Sequence, residues 1–335
     1  MQHLWQFPIL NEEEMKMEKY DVTALGELLI DFTQNGISPR GNPLFESNPG
    51  GAPCNVLAML SKLGHRTAFI GKVGKDYFGE RLRNAISELG ICADYLRKDE
   101  KVHTTLALVH TLPDGDRDFS FYRNPGADMM LTEAEVPEEL IKDSRFFHFG
   151  TLSMTHDRVR KATQNALKVA KKNSVLVSFD PNLRPPLWDS LEVAKEQVLY
   201  GIEYCDVLKI SDNEIQWLTG EEDYTVGAHW IQDRYPQVQL LLVSMGRNGS
   251  RAYYGDVMVE ERAYINANTI ETTGAGDTFY GCVLHYLLEH GLQGLSSDNL
   301  SDMLKFANAA ASIITTRKGA LCVMPALEEI MCYLQ

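Results

Sequence analysis

The sequence predicts an α/β domain: a central, mainly parallel sheet with helices on both faces, and a small β-sheet lid. Three observations predict it. From Tyr20 onward, apolar strand-like runs alternate with longer helix-like ones, the rhythm of a wound parallel sheet. The polar clusters Asp180-Pro-Asn182, Ser211-Asp-Asn-Glu214 and Ser244-Met-Gly246 each end a strand-like run, where such sheets place ligands. Two segments, residues 31–48 and 104–123, break the rhythm and supply the lid.

Taken in order, DVTALGELLI begins as a strand and CNVLAMLSKLG has helical spacing ending on glycine. TAFIGKVG reads as a strand and FGERLRNAISELG as a helix. FFHFGTL, SVLVSFD, CDVLKIS and LLLVSMG read as short buried strands. Helical runs over residues 158–172, 191–203 and 214–218 separate them. Residues 31–48 are rich in Gly, Pro and Asn, whereas TLALVHTL and FSFYR read as strands around the turn PDGD. Periodicity leaves two readings open there, an antiparallel flap over the site or a hairpin on the edge of the main sheet. Residues 1–19 form an N-terminal extension with Trp5 and Phe7 as packing candidates, and residues 20–335 read as one domain, with lid segments at about 32–48 and 102–126.

A net charge of −14 argues against nucleic acid as a partner, since phosphate backbones are bound by excess Lys and Arg. The uncharged runs are too short for a membrane span, and LWQFPIL, with no basic flank, is not a signal peptide. The 6 cysteines are scattered without a CxxC pair, mostly in apolar surroundings, so buried reduced thiols and a cytoplasmic location are expected. No HExxH occurs, and the 9 histidines form no zinc-ligand pattern.

The segment ETTGAGDTF, followed by the apolar run FYGCVLHYLL, carries the most chemistry. Gly274 and Gly276 allow a sharp turn, and a helix starting there aims free N–H groups at its contents, which suits an anion. Asp277 beside that anion would be repulsive unless it acts as a base, and a base beside an anion cradle is what phosphoryl transfer to a hydroxyl needs. A Gly-rich cap on a core helix fits the same residues. Phe279 stands where a dinucleotide fingerprint has its third glycine, and no GxxxxGK[ST] loop occurs.

NPGGAPCNVLAMLSKLG (residues 48–64) with FIGKVGKDYFG (residues 69–79) resembles the N-terminal signature of the ribokinase-like, PfkB-type sugar kinases. ETTGAGDTF resembles their C-terminal signature, and the resemblance runs from Tyr20 to the end of the chain. It implies a Rossmann-like domain with a β-sheet lid that transfers the γ-phosphoryl of ATP to a sugar hydroxyl. By resemblance, Asp277 is the catalytic base and Gly274, Ala275 and Gly276 the anion hole. Asp31, Gly50, Gly51 and Asn55 match sugar-binding positions, a carboxylate and an amide that suit vicinal hydroxyls. A helix cap at Asn55 and a turn residue at Asp31 are the plain alternatives.

On the nucleotide side, SMGRNG, with Ser244, Gly246 and Gly249, resembles the loop contacting ATP phosphates and ribose, and Asn308 falls where the adenine pocket is lined. Glu214 matches the glutamate of the family's NxxE motif, which organises Mg2+ through water, but Ser211 replaces its asparagine. Glu271 replaces the usual aspartate near a monovalent-cation site, which bears on activation by K+. GELLIDF, FYRNPGAD and FDPNLRPPLW are most similar to the fructokinase branch, so fructose and ATP are the expected substrates. A ketodeoxygluconate kinase, another sugar or riboside kinase, and a sensor without catalysis are the alternatives. Arg123 and Arg184 suit the phosphate charge; a solvated lid charge and an ion pair with Asp180 are the structural alternatives for them. The resemblance also implies a homodimer through the lid.

Overall fold

The computed structural model describes residues 19–111 and 117–335. Most of the expected N-terminal extension, with Trp5 and Phe7, and the PDGD turn lie outside the described residues. The chain opens with strands β1 (Tyr20–Leu25), β2 (Leu29–Ile37) and β3 (Pro43–Gly50), then helix α1 (Ala52–Lys62). Strand β4 (Thr67–Gly74), helix α2 (Tyr77–Glu88) and the short β5 (Ile91–Cys92) and β6 (Leu96–Asp99) follow, then β7 (Leu106–Thr111) and β8 (Arg117–Tyr122). The middle of the chain is α3 (Glu138–Lys142), β9 (Ser144–Gly150), α4 (Asp157–Lys172), β10 (Leu176–Asp180), α5 (Leu191–Tyr204) and β11 (Val207–Ser211). The last part is α6 (Asp212–Thr219), α7 (Tyr224–Arg234), β12 (Leu240–Ser244), β13 (Ser250–Tyr254), β14 (Val257–Glu261), α8 (Ala275–His290), α9 (Ser297–Ile314) and α10 (Leu327–Tyr333).

The main sheet runs in the order β14-β13-β12-β11-β10-β9-β1-β4-β5, with β6 paired to β4. It is parallel from β12 to β5, and β13 and β14 extend one edge antiparallel. The chain winds from β1 toward β4 and later from β9 toward β12, so the winding reverses between β1 and β9. A crevice outside the carboxyl ends of these strands follows from that reversal. Helices cover both faces: α1, α8 and α9 bury residues such as Leu57, Val283 and Leu304 on one side, and α4, α5 and α7 bury Leu167, Ile202 and Ile231 on the other.

The lid is a separate sheet, β3-β2-β7-β8, so residues 104–123 are not an edge hairpin of the main sheet. It is mixed rather than antiparallel, because β2 pairs parallel with β7. Ile37, Leu44, Phe45 and Tyr122 of this sheet are exposed.

Strand parity fixes what faces the first residues of α8. In β11, Leu208 and Ile210 enter the core under α5 and α7, so Val207 and Lys209 face α8. Phe179 pairs with Leu208 in register, which puts Asp180 and Lys209 side by side on that same face. Tyr280, buried on α8, accepts from Phe179 N–H at 3.1 Å and donates to Val207 C=O at 2.7 Å, pinning the helix across both strands.

The described cysteines are all free, but only Cys54, Cys205 and Cys282 are buried. Cys92 is partly buried, and Cys322 and Cys332 are exposed because they lie in the turn before α10 and within this amphipathic surface helix. Among the described residues, no helix is long and apolar enough to cross a membrane.

Candidate active site

A cleft of about 590 Å3 lies between the lid and the carboxyl ends of the main sheet. That size falls within the usual range for small-molecule sites. Lid residues Asp31 and Phe121 face Asn55, Arg184 and Asp277 across it, and Arg247, Thr272 and Lys318 line the outer part.

Asp277 is the third residue of α8, which starts after Gly274 in a left-handed turn with φ 76°. A side chain at Gly274 would collide with Ala320, so the tight turn demands glycine there. The Ala275 N–H donates back to Thr272 C=O at 3.2 Å. The amides of Gly276 and Asp277 have no carbonyl inside the helix to receive them, and Gly274, Gly276 and Asp277 all line the cleft, so this turn offers N–H groups to an anion there.

The Asp277 carboxylate is buried and accepts a 2.7 Å hydrogen bond from Asn55 Nδ2 at Oδ2. Burial raises its pKa above the ordinary carboxylate value, while Asn55, Lys209 and Arg184 oppose the rise. A carboxylate with a raised pKa is a better proton acceptor than a solvated aspartate. Asn55 therefore does more than cap a helix: it sits one turn inside α1 and fixes the Asp277 carboxylate.

The start of α1 has no cap from its own neighbours. Glu27, buried after β1, accepts the Ala52 N–H at 2.8 Å, and burial pushes its pKa up to about 7. At Gly51, with φ 131°, a side chain would strike the Glu27 carbonyl. Gly50 ends β3 against the Asp31 carboxylate rather than on the cleft wall. Asp31 itself, with Gly51 and Asn55, does line the cleft.

Sequence reasoning missed Lys209, because a lysine within an apolar strand has no motif around it. Its ammonium is buried, 2.7 Å from Asp180, and an added Cβ on Gly276 would lie 3.2 Å from it. Burial would lower its pKa, but Asp180, Glu214 and Asp277 together raise it, so it stays charged. Asp180 is pushed to about 6 by burial, with Glu214 and Asp277 adding to the rise and Lys209 opposing it. Lys209 thus ties the ends of β10 and β11 to the anion-binding turn. The signal within reach was the parity of CDVLKIS, which aims a charge at the same helix that carries Asp277.

Several expected contacts are placed elsewhere. Arg123 is buried and outside the cleft wall: Nε donates to Asp128 at 2.7 Å, with further bonds to Leu152 C=O and Thr155. It is neither a solvated lid charge nor a phosphate ligand, because its fork is filled by groups that fold the chain back under the lid. Arg184 does reach the cleft, and Asp180 pairs with Lys209 instead of with it. Asn308 is a correction of the same kind: Nδ2 donates to Glu261 and Arg262 carbonyls and Oδ1 accepts from Ser250, so the side chain straps α9 to β14. Ser244, Gly246 and Gly249 form the turn between β12 and β13, and it is their neighbour Arg247 that lines the cleft.

Ser211 caps α6 and donates to Glu214 Oε2 at 2.8 Å, while Glu214 Oε1 accepts from Leu183 N–H at 2.6 Å. Serine thus completes a capping box with Glu214, and Glu214 sits behind the cleft wall. Glu271 lines the cleft and accepts the Gly319 N–H at 3.0 Å.

The profile of the pfkB family carbohydrate kinases matches residues 19–327. The chain belongs to the pfkB family of carbohydrate kinases. It is an ATP-dependent sugar kinase, and its sheet and lid are the ribokinase-like fold. A probable fructokinase-2 of Arabidopsis thaliana is 39% identical over 319 residues, covering 94% of this chain and 95% of that protein. Among solved structures, the fructokinase of Xylella fastidiosa with bound ATP superposes with a TM-score of 0.85 at 29% identity, over 94% of this chain and 98% of that one. The fructokinase of Vibrio cholerae O395 with fructose, ADP and calcium ion bound gives 0.84 at 28%, over 95% and 100%.

Proposed function

We propose that this kinase transfers the γ-phosphoryl of ATP to the 6-hydroxyl of fructose. The observation that carries the reading is Asp277, held by Asn55 at the anion-binding end of α8 and sharing one cleft with Asp31. The fructose and ATP named with the two similar bacterial structures supply the substrates.

The sugar enters between the lid and the start of α1, where Asp31 and Asn55 offer acceptor and donor atoms to its hydroxyls. The nucleotide lies toward Arg247 and Thr272, with its terminal phosphate at the Gly276 and Asp277 amides. Asp277 Oδ2 is occupied by Asn55, so Oδ1 takes the proton from the 6-hydroxyl. That oxygen forms a bond to the γ-phosphorus as the bond to the ADP oxygen breaks. Arg184 and the two amides take up charge in the transition state, and the lid keeps out water that would hydrolyse ATP.

The residues fit a magnesium ion. Asp180, Glu214 and Asp277 cluster around one lysine, and the buried Asp180 Oδ1 has no partner within the protein. From behind the cleft wall, Glu214 and the free Asp180 Oδ1 would organise Mg2+ through its bound water, and the ion would supply neutralisation of phosphate charge. For K+, the Glu271 carboxylate at the cleft wall is the group to vary. A homodimer through the lid is part of the same reading, supported by the exposed Ile37, Leu44 and Phe45.

An ADP-release assay over fructose, ketodeoxygluconate, ribose and ribosides, each with and without K+, tests the proposal. Fructose should give the highest kcat/KM of the panel. ADP release with fructose at the no-sugar background refutes it, and selective turnover of ketodeoxygluconate replaces it with the second reading.

A further inference from the structure

At the opposite end of the sheet from the cleft, three metal-ligating side chains converge: His65, His285 and Glu289. His65 follows the C-terminus of α1 and is fixed there by its own N–H donating to Leu60 C=O at 3.1 Å. His285 and Glu289 lie four residues apart on α8, so they project from one face. His65 Nε2 is 2.7 Å from His285 Nδ1 and 3.9 Å from Glu289 Oε1. We propose that His65, His285 and Glu289 form a second, non-catalytic site for a divalent transition-metal ion of the zinc class.

The spacing suits such an ion. Two Zn–N bonds of 2.0–2.1 Å at a tetrahedral angle separate their nitrogens by about 3.3 Å. The imidazoles must therefore part by about 0.6 Å and Glu289 approach by a similar amount. Both are side-chain motions, and Glu289 stands partly exposed at 36%, which opens a path for the ion. The surrounding charges free the right lone pairs. Asp21 Oδ2 lies 4.0 Å from His65 Nδ1 and favours a proton there, which leaves Nε2 to bind, while His285 binds through Nδ1 once the proton shared in the 2.7 Å contact moves to its Nε2. The ion would also sit in the last turn of α8, the negative end of that helix dipole. Glu289 lies twelve residues beyond Asp277 on the same helix, ~18 Å along it. The ion would therefore clamp α8 to α1 and β1 without touching the cleft.

The test is titration of the full-length protein, free of ATP and Mg2+, with Zn2+ by calorimetry and with Co2+ by visible absorption. The proposal predicts one ion per chain and a tetrahedral Co2+ spectrum, with affinity lower by at least roughly 10–100-fold in His285→Gln and Glu289→Gln. Wild type that binds no ion overturns it, leaving a hydrogen-bonded histidine pair. Equal affinity in wild type and variants also overturns it, because the ion then sits elsewhere, as at the exposed Cys322 or Cys332. If His285→Gln does not fold, Glu289→Gln decides alone, since that side chain lies at the surface.

Discussion

Asparagine at position 277 is expected to lower kcat by roughly 10^3-fold while changing the KM for ATP by less than about two-fold. The substitution keeps the shape and the hydrogen bond from Asn55 but removes the proton acceptor. In the proposed site, ATP is held by amides and cations that the change leaves in place. The wild-type pH profile carries the same signature. Burial raises the Asp277 pKa, so kcat/KM should fall as pH drops through a value above the ordinary carboxylate range. In the asparagine variant the residual rate should lose that acid limb. Steady-state kinetics across pH measure both, and a variant with near-normal kcat would remove Asp277 as the base.

Methionine at position 209 is expected to destabilise the fold by about 3–5 kcal/mol, because it leaves Asp180 buried without its cation. The loss should depend on pH. Asp180 sits at about 6 against an ordinary value of 3.8, so its folded form binds a proton more tightly than its unfolded form. Its contribution therefore falls as pH rises through that window. Without Lys209 the folded value climbs further, and the variant should lose less at pH 5 than at pH 8. Adding Asp180→Asn to Lys209→Met should recover most of the stability but not the activity. Urea unfolding at the two pH values measures this, and equal losses at both would contradict the coupling.

Two of the residues that sequence reasoning found, Asp277 and Asn55, share a property: each sits in the first turn of a helix. Asp277 follows two glycines, and Asn55 follows Gly50 and Gly51, so local patterns announce them. Lys209 lies within a strand, and its partner Asp180 comes from another strand. Only the pairing of β10 with β11, a tertiary fact, makes them one unit. Arg123 and Asn308 failed for the opposite reason. Their residue types suit ligand binding, but Asp128 for one and the carbonyls of 261–262 for the other were already waiting in the fold. The strands and helices were legible because apolar periodicity is a local signal. The parallel pairing of β2 with β7 was not, since the contact that makes it joins distant segments.

The account turns on one event, phosphate transfer onto the 6-oxygen of fructose in the cleft that Asp277 shares with Asp31. Incubating the kinase with ATP and 13C-labelled fructose and recording the product by 13C and 31P NMR tests it directly. The account predicts phosphorus coupling to C6, with none at C1, and no product from the Asp277→Asn variant on the same time scale. Coupling to C1, or unchanged fructose beside active turnover of another sugar, would contradict it.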